Sequence, residues 1–340
     1  MKRYLPVLLL ALFSHAGFCQ QNIASFREIT ATQALGDRIF FAANHDQYGT
    51  ELFVSNGDSK SVTLLKDIAT GYQGSGPTQL TVFNNQIFFI AYTREFGGSV
   101  WKTDGTPQGT QLVYGVQNAE PFNLMVFKDK LYFTTNLGSI MRTDGTEAGT
   151  EVSYQSPSNY GRVQIMIKDD HYFYFTFDTR TIFRDDGTTR ISFLGPLSWE
   201  DVYFRNFFSL GDKLVVIKAG SSDHIIRIYA IDNSVVHDQG EDEWTLIKKL
   251  DAPNYYGSQY LANFTIIGTK LNFRYRKSYE NEKPGDELWS CDGTEEGTKM
   301  IKAFEWTPYG PNADISKFFV YDGKLIFEAG EYEKKALWSS

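Results

Sequence analysis

ELWSCDGTEEGT, residues 287–298, has close echoes at 100–110 (VWKTDGTPQGT), at 140–150 (IMRTDGTEAGT) and, shortened, at 182–190 (IFRDDGTTR). A catalytic motif is needed once per chain, whereas a phrase that returns at intervals marks a structural unit that is itself repeated. The chemistry is that of a tight turn. Asp bonds its own downstream backbone, Gly permits a left-handed conformation and Thr restarts an extended chain. The phrase is read as the turn of one hairpin per repeat, with Asp104, Gly105, Asp144, Gly145, Asp186, Gly187, Asp292 and Gly293 as structural turn residues.

A second marker, a short turn followed by an apolar burst, occurs at LGDRIFF (35–41), FNNQIFF (83–89), FKDKLYF (127–133), KDDHYFYF (168–175), LGDKLVV (210–216), IGTKLNF (267–273) and YDGKLIF (321–327). Apolar side chains on consecutive positions require a strand covered on both faces. The bursts start at Ile39, Ile87, Leu131, Tyr172, Leu214, Leu271 and Leu325, so successive spacings are 48, 44, 41, 42, 57 and 54 residues. A period in the forties with several strands per unit is that of a β-propeller.

The second repeat divides into strands A (Gln79–Phe83), B (Gln86–Tyr92), C (Ser99–Thr103) and D (Thr110–Val116). The expected fold is all-β: a seven-bladed β-propeller with four antiparallel strands per blade. The last strand-C marker, LWSS at 337–340, has no strand D after it, and NIASFREI (22–29) matches the strand-D stretch SVTLLKDI (61–68). The N-terminal strand is therefore expected to complete the last blade, which removes an open sheet edge. Two inserted stretches, HDQGEDEW (237–244) and KSYENEKPGDE (277–287), read as solvated loops.

Residues 1–19 have the layout of a secretory signal peptide. Lys2 and Arg3 precede a short apolar core, and Gly17 and Cys19 stand three and one residues before a cut at Gln20. The alternative, lipidation of Cys19, meets the bulky Phe18 where a small residue is preferred. The expected domains are signal peptide 1–19 and a single propeller 20–340, secreted or periplasmic, without a transmembrane segment in the mature chain and monomeric. Loss of Lys2 and Arg3 takes the formal charge from −8 to −10. An acidic chain lacking basic runs is unsuited to nucleic acid. Only Cys291 remains after cleavage, so no internal disulfide is expected.

ELWSCDGTEEGT and VWKTDGTPQGT resemble the ELWxTDGTxxGT repeats of secreted bacterial proteins, common in the Bacteroidetes and often labelled hyalin-like or propeller repeats. The resemblance spans most of the mature chain, is specific in repeats two, three and six, and is eroded elsewhere. It implies an extracytoplasmic β-propeller. The turn is also similar to the Asp-box of sialidase propellers, but with different spacing, and lends no support to glycosidase activity.

No nucleophile elbow, zinc helix or phosphate loop occurs. No cofactor is expected. Calcium is the metal weighed, with Asp46, Glu51, Asp104, Asp144, Asp186 and Asp292 as oxygen donors, yet each turn offers one carboxylate where calcium takes six or more oxygens. Cys291 reads as a small packing residue. The D-to-A and B-to-C connections vary and carry aromatics, which on short rigid loops suit sugar stacking and peptide capture. Tyr48, Tyr72, Tyr160, Trp199, Tyr255, Tyr256, Trp306 and Tyr309 are the candidate ligand-binding residues. The expected function is a non-catalytic binding or scaffolding module for a glycan, peptide or envelope protein. One alternative is a glycan hydrolase or lyase using Glu95, Glu120, Glu200, Asp201 or Asp314; the other is a purely structural repeat protein.

Overall fold

A computed structural model of the chain describes residues 25–156, 162–163, 165–177, 182–188, 191–193, 202–220, 225–232, 244–251, 261–276, 285–304, 315–331 and 334–339. The signal-like segment 1–19 lies outside them. The chain falls into two compact units, Met1–Gly115 and Val116–Ser340. Among the described residues no helix is long and apolar enough to cross a membrane.

The first unit holds two four-stranded antiparallel sheets. One comprises β1 (Ile29–Leu35), β2 (Arg38–His45), β3 (Gly49–Ser55) and β4 (Thr63–Leu64). The other comprises β5 (Thr78–Phe83), β6 (Gln86–Thr93), β7 (Gly97–Thr103) and β8 (Gln111–Tyr114). The second unit continues with β9 (Pro121–Phe127), β10 (Lys130–Thr135), β11 (Ser139–Thr143) and β12 (Glu151–Gln155), then β13 (Ile165–Lys168), β14 (Phe173–Thr176), β15 (Phe183–Asp185) and β16 (Ile191–Phe193). The fifth sheet is β17 (Val202–Leu210), β18 (Lys213–Gly220), β19 (Ile225–Asp232) and β20 (Thr245–Asp251); the sixth is β21 (Leu261–Ile267), β22 (Lys270–Arg276), β23 (Asp286–Cys291) and β24 (Lys299–Phe304). The seventh has three described strands, β25 (Ser316–Tyr321), β26 (Lys324–Glu331) and β27 (Lys334–Ser339). Each sheet is a meander in which every strand pairs with the next in sequence, as the repeat predicts.

The apolar bursts form the second strand of each sheet. Their successive side chains serve two neighbouring sheets. On β18, Leu214 and Val216 pack with Tyr174 and Phe207, whereas Val215 and Ile217 pack with Leu271 and Phe273. On β2, Phe40 joins Ile87, Phe89 and Trp101 of the second sheet, while Phe41 turns the other way toward Phe53 and Phe26. This is why these strands cannot alternate polar and apolar residues: both faces are interior. A further pairing recurs between neighbours. A lysine of one sheet's fourth strand or its end lies over the third-strand tryptophan of the next: Lys66 over Trp101 at 5.3 Å, Lys248 over Trp289 at 5.4 Å and Lys302 over Trp338 at 5.1 Å.

Two expectations need correction. Ile29, assigned from sequence to the end of the N-terminal strand of the last blade, is instead the first residue of β1, paired with Ala43. Arg27 and Glu28 run on along β2: the Arg27 N–H donates to Asn44 O and the Asn44 N–H to Glu28 O. Residues 22–24 lie outside the described part. The end of KSYENEKPGDE is not solvated loop either. Asp286 opens β23 and is buried, accepting Arg276 Nε at 2.7 Å, Arg276 Nη2 at 3.0 Å and the Ile315 N–H at 2.9 Å. A carboxylate held by a fork of guanidinium donors and a backbone amide can leave water.

Candidate functional site

The third-to-fourth strand turns are self-contained. Asp104 Oδ1 accepts the Thr106 N–H (2.9 Å) and hydroxyl (2.7 Å); Thr106 Oγ1 in turn accepts the Gly109 N–H (2.9 Å). The Thr110 hydroxyl donates to Thr106 O at 2.7 Å, and Thr103 Oγ1 accepts the Gly105 N–H at 3.0 Å. The same bonds recur at Asp144–Thr150 and Asp292–Thr298. The Thr hydroxyl and amide pull the Asp104, Asp144 and Asp292 carboxyls below their usual range. Gly105 needs its φ of +91° to make the turn. Gly109 is glycine for a different reason: a Cβ there would stand 2.0 Å from Asp104 Oδ1. Asp186 Oδ1 accepts the Thr188 N–H and hydroxyl in the shortened copy. In all four copies the turn aspartate, Asp104, Asp144, Asp186 or Asp292, thus directs Oδ1 at its own downstream backbone.

Cys291 belongs to the same construction. It occupies the position of Thr103 and Thr143, and its Sγ accepts the Gly293 N–H at 3.4 Å and lies 3.3 Å from Thr298 Oγ1. Asp185 takes this place in the fourth sheet, accepting the Gly187 N–H at 2.7 Å, and Ser55 in the first, accepting the Gly57 N–H at 3.0 Å. Burial pushes the Cys291 thiol up, away from a nucleophilic thiolate.

The loop-rich edge of the first unit is built differently. Residues 69–77, between β4 and β5, form a loop held at both ends by Glu51 of β3. Glu51 Oε1 accepts the Ala69 N–H at 3.1 Å and the Ser75 N–H at 2.9 Å, and Oε2 pairs with the Ser75 hydroxyl at 2.5 Å. Glu51 is 0% exposed. Thr50 bridges to Gly74, and Gly76 donates its N–H to Thr50 O at 2.9 Å. The backbones approach so closely that a Cβ on Gly49 would lie 2.6 Å from Tyr72 O. From the other side the Tyr92 N–H donates to Ser75 O at 2.7 Å and Arg94 Nη2 reaches Thr70 O at 3.5 Å.

This scaffold presents aromatic rings. Tyr72, at the loop's tip, is 80% exposed, and Tyr92 at the end of β6 is 54% exposed. Tyr48, just before Gly49, stacks on His45 with ring centres 5.0 Å apart. Of the eight candidate residues, the structure thus brings Tyr48 and Tyr72 onto adjoining loops. Tyr160, Trp199, Tyr255, Tyr256, Trp306 and Tyr309 lie outside the described residues, as do Glu200, Asp201 and Asp314. Glu95 and Glu120 are exposed. Asp46 pairs with Arg27 at 2.6 Å. Among the described residues no group of three or more His, Cys, Asp and Glu could hold a metal.

Sequence reasoning missed Tyr92 and Arg94, and grouped Glu51 with calcium donors. The available signal was placement: a lone acid within the apolar run ELFV of a buried strand needs an internal partner.

No protein-family profile and no curated protein sequence matches the chain. Among solved structures it is similar to a prolyl endopeptidase, 13% identical with a TM-score of 0.55, over 92% of this chain and 49% of that one. It is also similar to oligopeptidase B from Leishmania major, 11% identical with a TM-score of 0.51, over 90% of this chain and 45% of that one. BamB from Moraxella catarrhalis overlays at a TM-score of 0.47, 14% identical over 87% of this chain and 77% of that one. The chain spans about half the length of the two peptidases it matches. At these identities the likeness to the two peptidases speaks for the fold alone.

Proposed function

We propose that the protein is an extracytoplasmic binding module of the ELWxTDGT repeat kind. It takes a glycan, peptide or envelope protein on the aromatic loop edge, with residues 1–19 removed as a signal and no cofactor required. One observation carries the reading: Tyr72 is 80% exposed on a loop anchored at both ends, and the backbone that braces this loop also carries exposed Tyr92 and the Tyr48–His45 pair. An exposed aromatic ring on a rigid support loses little entropy on stacking against a sugar or an apolar side chain. A glycan array probed with the parent and with a Tyr72→Ala, Tyr92→Ala variant tests it. Binding by the parent that drops at least tenfold in the variant is expected; equal binding by both would remove this edge from the reading.

We further propose that the seven sheets are the blades of a β-propeller. What supports this is that each sheet is an antiparallel meander and that the apolar second strands pack on both faces against neighbouring sheets.

A further inference from the structure

The clasp between Glu51 and the 69–77 loop goes beyond holding a turn in shape. From a buried carboxylate bonded to both ends of the loop that bears Tyr72 and, among the described residues, to no cation, we infer that Glu51 is a proton-operated latch that sets how firmly this loop is docked. The inference rests on the binding reading only for its consequence; the latch itself is a property of the free protein.

The geometry distinguishes the two protonation states. With the acid neutral, Oε1 keeps accepting the Ala69 and Ser75 N–H groups, while a proton on Oε2 is donated to Ser75 Oγ. Every group is then satisfied without charge. Ionisation leaves the same hydrogen bonds but strands a full negative charge in the interior, where it is relieved only by letting the loop lift and admit water. The ionisable groups on the surrounding elements are His45, Asp46 and Tyr48 beside β3, Lys66 and Asp67 ahead of the loop, Tyr72 on it, and Tyr92, Arg94 and Glu95 beyond it. The carboxylate's hydrogen bonds go to none of these, so no neighbouring cation holds the ionised form in place. In keeping with this, burial raises the Glu51 carboxyl from 4.5 to about 7, against the smaller opposing pull of its hydrogen bonds.

The direction follows from linkage. The docked loop favours the protonated acid, so docking is fully supported below pH 4.5, weakens as pH rises toward about 7, and levels off above it. A partner gripped by Tyr72 would meet a firmer loop in acid than at neutral pH.

The test is amide exchange at Ala69 and Ser75 in the full chain without ligand, from pH 4.5 to 8.5, corrected for the intrinsic pH dependence of exchange. In the parent, protection should fall about tenfold per unit between pH 5 and 7, on the order of a hundredfold in all, then flatten. Glu51→Gln, a neutral isostere that accepts through Oε1 and donates to Ser75, should show protection independent of pH. His45→Gln should retain the parent's profile, separating the imidazole from the carboxylate. A flat parent profile, or a Glu51→Gln profile that tracks the parent, would overturn the latch. Tyr72→Ala should leave the profile intact while abolishing binding. Loss of the binding reading and loss of the latch are thus read out separately, the one on the array and the other in exchange.

Discussion

At the scale of single residues the repeated turn is a set of donors and acceptors with little freedom. The second glycine of each DGTxxGT copy lies under an Asp carboxylate, and a Cβ at Gly149 would stand 2.2 Å from Asp144 Oδ1. Gly149→Ala is therefore expected to destabilise by about 1–3 kcal/mol, measured by urea unfolding. Adding Asp144→Ala should recover part of that loss, because the clash disappears with the carboxylate. Cys291 offers a sharper comparison. Cys291→Thr restores the residue used at 103 and 143 and should be neutral or stabilising. Cys291→Val should cost about 1–2 kcal/mol, since the Gly293 N–H loses its acceptor. Equal effects of the two substitutions would show that the sulfur serves only to fill space. These turns were legible in the sequence because their bonds connect residues within eight positions of one another. The clasp at Glu51 was not, because its partners lie 18 and 24 residues away.

At the scale of strands and sheets, burial follows the bursts. The second repeat was predicted as Gln79–Phe83, Gln86–Tyr92, Ser99–Thr103 and Thr110–Val116. It is observed as Thr78–Phe83, Gln86–Thr93, Gly97–Thr103 and Gln111–Tyr114. The first three agree closely because turn glycines and asparagines bracket them. The fourth is shorter, as an outer strand pairs on one side and its ends are set by tertiary contacts. Phe89, buried between sheets, should cost about 3–5 kcal/mol as Phe89→Ala, whereas the exposed Val82→Ala should change little. The lysine–tryptophan pairs between neighbouring sheets were invisible to a reading made repeat by repeat, since each joins residues of two successive repeats. Lys248→Met keeps the aliphatic stem over Trp289 but removes the charge, and should cost about 0.5–1 kcal/mol. No loss on denaturation would leave the stem's packing as the whole contribution.

At the scale of the molecule, buried ionisable groups shape stability against pH. Burial raises Asp185 from 3.8 to about 6, as it raises Glu51 from 4.5 to about 7. Each contributes stability that is present when protonated and is lost as pH rises through its folded value. Lys218 is opposite in sense. Burial, aided by Arg227, lowers it from 10.5 to about 7 while its ammonium lies over Tyr229 and Trp244. Between pH 7 and 10.5 the unfolded chain binds the extra proton, so stability rises with pH there. The expected curve of unfolding free energy from urea titrations has a shallow minimum near pH 7. Lys218→Met should remove the alkaline rise, and Asp185→Asn should shrink the acid-side fall. A curve without a minimum would mean that these groups reach water in the folded chain.

The amino-acid order by itself determined the succession of antiparallel meanders, their number of repeats and the turns that punctuate them. Those features depend on local hydrogen bonding and on a periodicity that survives mutation of single copies. Tertiary structure alone decided which acid is a turn residue and which is a buried clasp, which tyrosines share a scaffold, and that Asp286 leaves the solvent. The reason is physical: the free energy of a buried charge or an exposed ring depends on what lies across the gap between loops, and sequence proximity does not encode it.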